Sequence, residues 1–196
     1  MTRSRAIVLD ANVLHSNLLR GLFLWLSKFN LCRPVWSSQI WDEVFRNYPG
    51  DEAEKRQFKN AMEKSVLGQF PASMRPLADG YEKLGLPDPD DEHVVALARQ
   101  ERVATVVTFN LRDFPVDRVE AAGVSCVHPD EFLCDLYEAK KDVMKATLSS
   151  HLQNLTRTKP MKTAFIENFK RAGVPKFSAS LAEEDAAGKL FPEVWP

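Results

Sequence analysis

LPDPDDEHVVALARQERVATVVTFNLRDF, residues 86–114, contains both kinds of element from which the fold is built. Asp88-Pro89 is a helix start: the aspartate can accept backbone N–H bonds, and proline fills the first helical position without losing a needed donor. The chain beyond it turns apolar and predicts a helix to about Gln100. Val103-Ala-Thr-Val-Val-Thr108 is apolar and rich in β-branched residues, which predicts a strand. That strand delivers the chain to Phe109-Asn-Leu-Arg-Asp113.

The same alternation continues on either side. Ala6-Ile-Val-Leu9 is a short apolar run bounded by polar residues, the pattern of a strand covered on both faces, and it ends on Asp10. From Val13 to Phe29, apolar residues recur at helical spacing and predict one amphipathic helix. Pro34-Val-Trp36 predicts a second strand, after which Ser37 or Ser38 caps a helix that runs to about Tyr48, contains Glu43 and is stopped by Pro49-Gly50. Asp51 to Leu84 predicts two or more charged helices, broken at Phe70-Pro71 and near Pro76. Val124-Ser-Cys-Val127 predicts a fourth strand, with a helix from Pro129. Past residue 139 strand signals vanish: Lys141 to about Arg157 and Thr163 to about Ala172 predict helices, Gly173 and Pro175 closing the second. The expected class is α/β, a central parallel sheet of four or five strands with helices on both faces, residues 1–138 forming the main domain and 139–196 a helical extension.

A chain of 196 residues that is 44% hydrophobic can bury one core and a small appendage. Its amino end is too short for a signal-peptide core and no stretch reaches the length of a membrane span, so a soluble, cytoplasmic protein with no membrane partner is expected. Cys32, Cys126 and Cys134 are odd in number and lack metal-ligand spacing, which predicts reduced packing residues. The formal charge of −1 is unevenly spread. Residues 1–138 carry 16 Lys and Arg against 21 Asp and Glu, residues 139–176 carry 9 against 2, and residues 177–196 carry 1 against 4. A positive stretch beside an acidic body suits a nucleic-acid surface, an acidic partner or a solvated helix face.

Ligands of open parallel sheets gather beyond the carboxyl ends of the strands. Asp10 follows the first strand, the Asn110/Asp113 pair follows the third, Asp91 starts a helix that should open on that edge, and Glu43 can reach it. Four converging carboxylates raise one another's pKa unless a cation neutralises them, and hard oxygen ligands suit Mg²⁺ or Mn²⁺. Asp88 and Asp90 are read as capping and first-turn charges, each worth up to about 1 kcal/mol.

Ile7-Val-Leu-Asp10-Ala-Asn12, Glu43 on an early helix, Asp91-Glu-His-Val-Val-Ala-Leu-Ala98 and Val106-Val-Thr-Phe-Asn110-Leu-Arg-Asp113-Phe114 resemble, in order, the landmarks of PIN-domain ribonucleases, particularly the VapC-like toxins of type II toxin–antitoxin systems. The resemblance covers roughly residues 5–135; the helical extension resembles that of a VapC subgroup with a longer carboxyl end. It implies a three-layer sandwich and an Mg²⁺-dependent endoribonuclease, Mn²⁺ being a substitute, that cleaves RNA through metal-activated water. It implies that Asp10, Glu43, Asp91 and Asp113 are the catalytic, metal-holding acids, with Asn12, Thr108, Asn110 and Asp90 as supporting polar residues. Family members often carry an acid where Asn110 stands, which leaves open the split of work between Asn110 and Asp113. RNA, a cognate antitoxin and a second copy of the chain are the expected partners, with Lys140, Lys141, Lys145, Lys170 and Arg171 as candidate RNA contacts.

Other readings fare worse. A haloacid-dehalogenase-type, metal-dependent phosphatase needs a second acid two residues after the first, where Asn12 stands. An EF-hand reading of Asp88-Pro-Asp90-Asp-Glu92 puts His93 where the loop needs glycine. A PIN-like module that binds RNA or protein without cutting is the non-enzymatic alternative, and the complete acidic quartet argues against it. His93, two after Asp91, is expected to pack or hydrogen-bond rather than catalyse. Trp36, Trp41 and the apolar face of residues 14–29 are read as core, or as a groove for a partner.

Overall fold

The computed structural model describes residues 4–155 and 160–191 and divides into two compact units. One comprises Arg5–His15 and Arg33–Val127 and holds the sheet; the other is helical, built on Ser16–Cys32 and on the chain from His128 onward. In chain order the elements are β1 (Arg5–Leu9), α1 (Ala11–His15), α2 (Asn17–Lys28), β2 (Cys32–Val35), α3 (Ser38–Arg46), α4 (Glu52–Met62), α5 (Glu92–Gln100), β3 (Thr105–Val107), α6 (Val116–Ala121), β4 (Ser125–Val127), α7 (Pro129–Ala139), α8 (Lys141–Asn154), α9 (Lys162–Arg171) and α10 (Pro175–Ala186).

In the first unit the four strands lie in the order β2-β1-β3-β4. β1 pairs parallel with β3 (Val8 with Val106, Leu9 with Val107), and β3 pairs parallel with β4 (Val106 with Cys126, Val107 with Val127). Leu9, Val107 and Val127 therefore share one row, and the chain leaves all three strands at the same edge. Two bonds extend the ladders past it: Asp10 N–H donates to the Val107 carbonyl at 3.1 Å and Thr108 N–H to that of Val127 at 3.1 Å. Ile7, Val8, Leu9, Val106 and Val107 are fully buried, as a strand covered on both faces requires. α5 packs on β1 and β3 and buries seven consecutive residues, Glu92 to Ala98. Trp36 and Trp41 meet edge-on at 5.8 Å inside this core, so neither lines a groove.

The helix expected over Val13–Phe29 is two helices. Ser16 interrupts it, its hydroxyl accepting from Leu19 N–H and capping α2. Between Asp51 and Leu84 there is one α-helix, opened by an Asp51/Glu54 capping box and ending in a π-helical turn, Glu63–Leu67. Past the 3₁₀ turn Pro71–Ser73 no further helix forms before Pro89, because the backbone finds partners elsewhere: Trp36 N–H donates to the Ser73 carbonyl and Arg75 N–H to the Trp36 carbonyl. α6 and α10 are additional, and each begins at a proline, Pro115 before the first and Pro175 within the first turn of the second. Gly173 closes α9 in the left-handed region (φ +89°) with Val174 N–H on the Phe169 carbonyl, and Pro175 opens the next helix rather than ending the last. α8 ends at Asn154; the expected helix end at Arg157 lies outside the described residues.

In the helical unit, Phe165, Phe169, Phe177 and Tyr137 form an edge-on aromatic chain with centroids 5.0–6.1 Å apart. Asp130, at the start of α7, is buried and accepts from Lys176 N–H at 3.0 Å and Phe177 N–H at 2.8 Å, capping α10, which has no side-chain cap of its own. Gly21 allows α2 and α8 to approach closely: a Cβ built there would lie 2.7 Å from His151 Nε2. The His151 ring is buried and edge-on to Phe165, so it has little room to withdraw. Gly21→Ala should destabilise this unit by about 1–2 kcal/mol in urea denaturation, overpacking outweighing the gain of about 1 kcal/mol in helix propensity.

Candidate metal centre

Asp10 leaves β1 at the carboxyl edge, 2% exposed. Thr108, leaving the neighbouring strand, donates its hydroxyl to Asp10 Oδ2 at 2.6 Å, and Asn12 Nδ2 donates to the same oxygen at 2.7 Å. The Thr108 oxygen accepts in turn from Asn12 Nδ2 and from Asn110 N–H, both at 3.0 Å, while Asn12 Oδ1 accepts from Phe109 N–H at 3.1 Å. Asn12, Thr108 and Asn110 thus form one network that fixes the Asp10 carboxyl and the turn after β3. Burial still holds Asp10 above the usual carboxylate range, and Glu43 adds to the rise; the Thr108 bond opposes it.

Asp91 sits where the 3₁₀ turn Pro89–Asp91 meets α5. Its carboxylate, with those of Asp88 and Asp113, offers oxygens that all lie within 4.8 Å of one another. Asp113 ends its own 3₁₀ turn and accepts from Asn110 Nδ2. Asp91 Oδ2 is buried and has no hydrogen-bond partner among the described residues. Burial, followed by the charges of Asp10, Asp88, Asp113 and Glu43, pushes the Asp91 carboxyl up to about 7. Glu43, on α3, is held by His93 of α5, Nε2 to Oε1 at 2.6 Å. Cys126 on β4 lies near enough that Asp10 and Asp91, after burial, raise its thiol to about 12, so it is a protonated packing residue.

The four acids at the start of α5 divide their tasks. Asp88 caps the turn by accepting from Asp90 N–H at 2.9 Å and also faces Asp91 and Asp113, a second role that its position as a cap conceals. Asp90 is exposed, in the first turn. Glu92 is buried and turns away to accept from Leu84 N–H and Leu86 N–H, both at 2.8 Å, bracing the preceding loop. Neither role of Asp88 or Glu92 is marked in the sequence, where both stand in one acidic run, Asp88 to Glu92, whose members look alike.

Asp10, Glu43, Asp91 and Asp113 therefore share one electrostatic neighbourhood, with Asp88 added to it. Several polar atoms that could face a cation are present, Asp91 Oδ2 above all, and the mutual repulsion suits a divalent ion. The basic candidates differ among themselves. Lys141 and Lys145 both bind Glu184 at 2.8 Å and hold its carboxyl down at about 2, so α8 and α10 are tied together there. Lys140, Lys170 and Arg171 are exposed, Lys170 on the rim of a 480 Å³ groove along α9 and α10. The three cysteines are free thiols.

A carboxyl raised to about 7 in the folded chain and near 4 in the unfolded one binds more protons folded than unfolded across that window. Its contribution to stability is present below about pH 4 and is lost as pH rises through 7. In EDTA, the melting temperature should fall between pH 5 and pH 8; with Mg²⁺ the fall should shrink, because metal binding strengthens as the acids ionise.

Residues 6–112 match the family model described as PIN domain, and residues 129–183 match the one described as VapC50 C-terminal domain. A Mycobacterium tuberculosis protein named "Putative ribonuclease VapC50" is 38% identical over 58 residues, 30% of this chain and 34% of that protein. The match thus spans about a third of that curated relative's length. No solved structure matches the chain. Among the described residues no helix is long and apolar enough to cross a membrane.

Proposed function

Because the chain belongs to the PIN-domain family, we propose that it is a divalent-metal-dependent endoribonuclease, the toxin of a VapC-like toxin–antitoxin pair. The observation that carries this reading is Asp91 Oδ2, a buried carboxylate oxygen with no hydrogen-bond partner among the described residues, in a cluster of acids that repel one another. Asp10, Asp91, Asp113 and Glu43 would hold the ion, with Asp88 beside them; Asp90, exposed in the first turn, would add only its charge. A bound Mg²⁺ or Mn²⁺ supplies charge neutralisation at phosphate oxygens and acidifies water for attack on phosphorus.

The chain's own residues do the positioning. Thr108 and Asn12 both hold Asp10 Oδ2, so its carboxylate orientation is set before a ligand arrives. Asn110, standing where relatives often carry an acid, donates to Asp113 and through its N–H to Thr108; it orients, and Asp113 bears the charge. The substrate class is RNA, cut at a phosphodiester to leave 5′-phosphate and 3′-hydroxyl ends, in the cytoplasm. Lys140, Lys170 and Arg171 are the exposed candidates for backbone contact, and Lys141 and Lys145 would first have to leave Glu184. An inhibitory antitoxin and a second copy of the chain complete the set of partners.

The test is incubation of the purified chain with total RNA in Mg²⁺, Mn²⁺ or EDTA, with end mapping. Cleavage in either metal and none in EDTA is expected. RNA left intact by folded, metal-loaded protein would instead favour a module that binds without cutting.

A further inference from the structure

His93 sits on the buried face of α5, two residues after Asp91, and reaches across to α3. Its Nε2 stands 2.6 Å from Glu43 Oε1, and because a carboxylate oxygen accepts, Nε2 carries the hydrogen and donates. The other ring nitrogen, Nδ1, is buried and has no partner among the described residues, which leaves the bond to Glu43 as the one the ring makes to them. Glu43 lies in the middle of a nine-residue helix, Ser38–Arg46, and its flexible side chain would otherwise lose several torsions to reach a cation. Both side chains are largely enclosed, 9% and 18% exposed, and the Glu43 carboxylate adds to the repulsion at Asp10 and Asp91.

We infer that His93 is a positioning residue: its bond to Oε1 orients the Glu43 carboxylate so that Oε2 is presented to the divalent ion of the acidic cluster. This rests on the metal-dependent reading above. Carboxylates that bind metals are themselves held by hydrogen bonds, and removing such a support typically weakens metal affinity 10- to 100-fold, on the order of one or two decades. His93 acts through Glu43 and does not touch the ion or the substrate.

The experiment is calorimetric titration of the full chain with Mn²⁺, melting curves serving as the control for folding. His93→Leu, which removes the donor and keeps bulk, should weaken Mn²⁺ binding about tenfold. His93→Gln, whose amide can donate to the same oxygen, should restore most of the loss. In a Glu43→Gln background, His93→Leu should add nothing. Should His93→Leu fail to fold, His93→Asn, too short to reach Oε1, takes its place in the same comparison. Wild-type affinity in His93→Leu overturns the inference, as does failure of His93→Gln to restore binding, or an equal loss in the Glu43→Gln background. A wild-type chain that binds no Mn²⁺ overturns the metal reading itself, and the inference with it.

Discussion

Asp91→Asn is expected to lower metal-dependent RNA cleavage by about 10³-fold or more, since a bound ion contributes several kcal/mol to a phosphoryl transition state and each 1.36 kcal/mol is a factor of ten. The same substitution should make the metal-free protein more stable at pH 8. Asp91 is held at about 7 by burial and by Asp10, Asp88, Asp113 and Glu43, so ionising it opposes folding and a neutral amide relieves that cost. Allowing for solvent screening of a half-exposed group, the gain is about 1 kcal/mol, or roughly 2–4 °C in melting temperature for a chain of this size. The pairing of the two outcomes matters. A residue kept only as a helix cap would lose stability on substitution and leave cleavage intact, whereas a metal ligand should do the reverse.

Asp130→Ala is expected to destabilise the helical unit by about 3 kcal/mol in urea denaturation. Its carboxylate is buried and accepts from two consecutive N–H groups, Lys176 and Phe177, at the start of α10. Bonds to a charged acceptor contribute about 1.5–3 kcal/mol each, and removing the acceptor leaves donors that α10 cannot satisfy alone. Asp130→Asn should lose less, because one amide oxygen still accepts while the NH₂ group faces a donor. Hydrogen exchange would show the effect first at Lys176 and Phe177; unchanged exchange there would mean that α10 is held by its aromatic contacts to Phe169 and Tyr137.

Much of this was legible in the sequence because it depends on local chemistry. The apolar run Ala6–Leu9 can only be a covered strand, and parallel register then carries Asp10 and Thr108 to adjacent positions at one edge. Asp88-Pro89 announces a helix start in two residues, although a 3₁₀ turn precedes α5. What stayed hidden depends on contacts across the fold. Ser16 looks like one more polar residue in an amphipathic run until its hydroxyl is seen to cap α2. Glu92 is indistinguishable from its acidic neighbours until the loop at Leu84 and Leu86 folds onto it. The positive stretch 139–176 and the negative stretch 177–196 look like separate surfaces, yet Lys141 and Lys145 on α8 neutralise Glu184 on α10.

A metal-dependent nuclease needs these carboxylates to hold a divalent ion. Diffraction from crystals grown with Mn²⁺, collected for anomalous signal, measures this directly. A peak within coordination distance of Asp91 and Asp113, with Asp10 and Glu43 facing it and lost in Asp91→Asn crystals, is the expected result. A map with no peak among these side chains, at Mn²⁺ concentrations that support RNA cleavage, would contradict it.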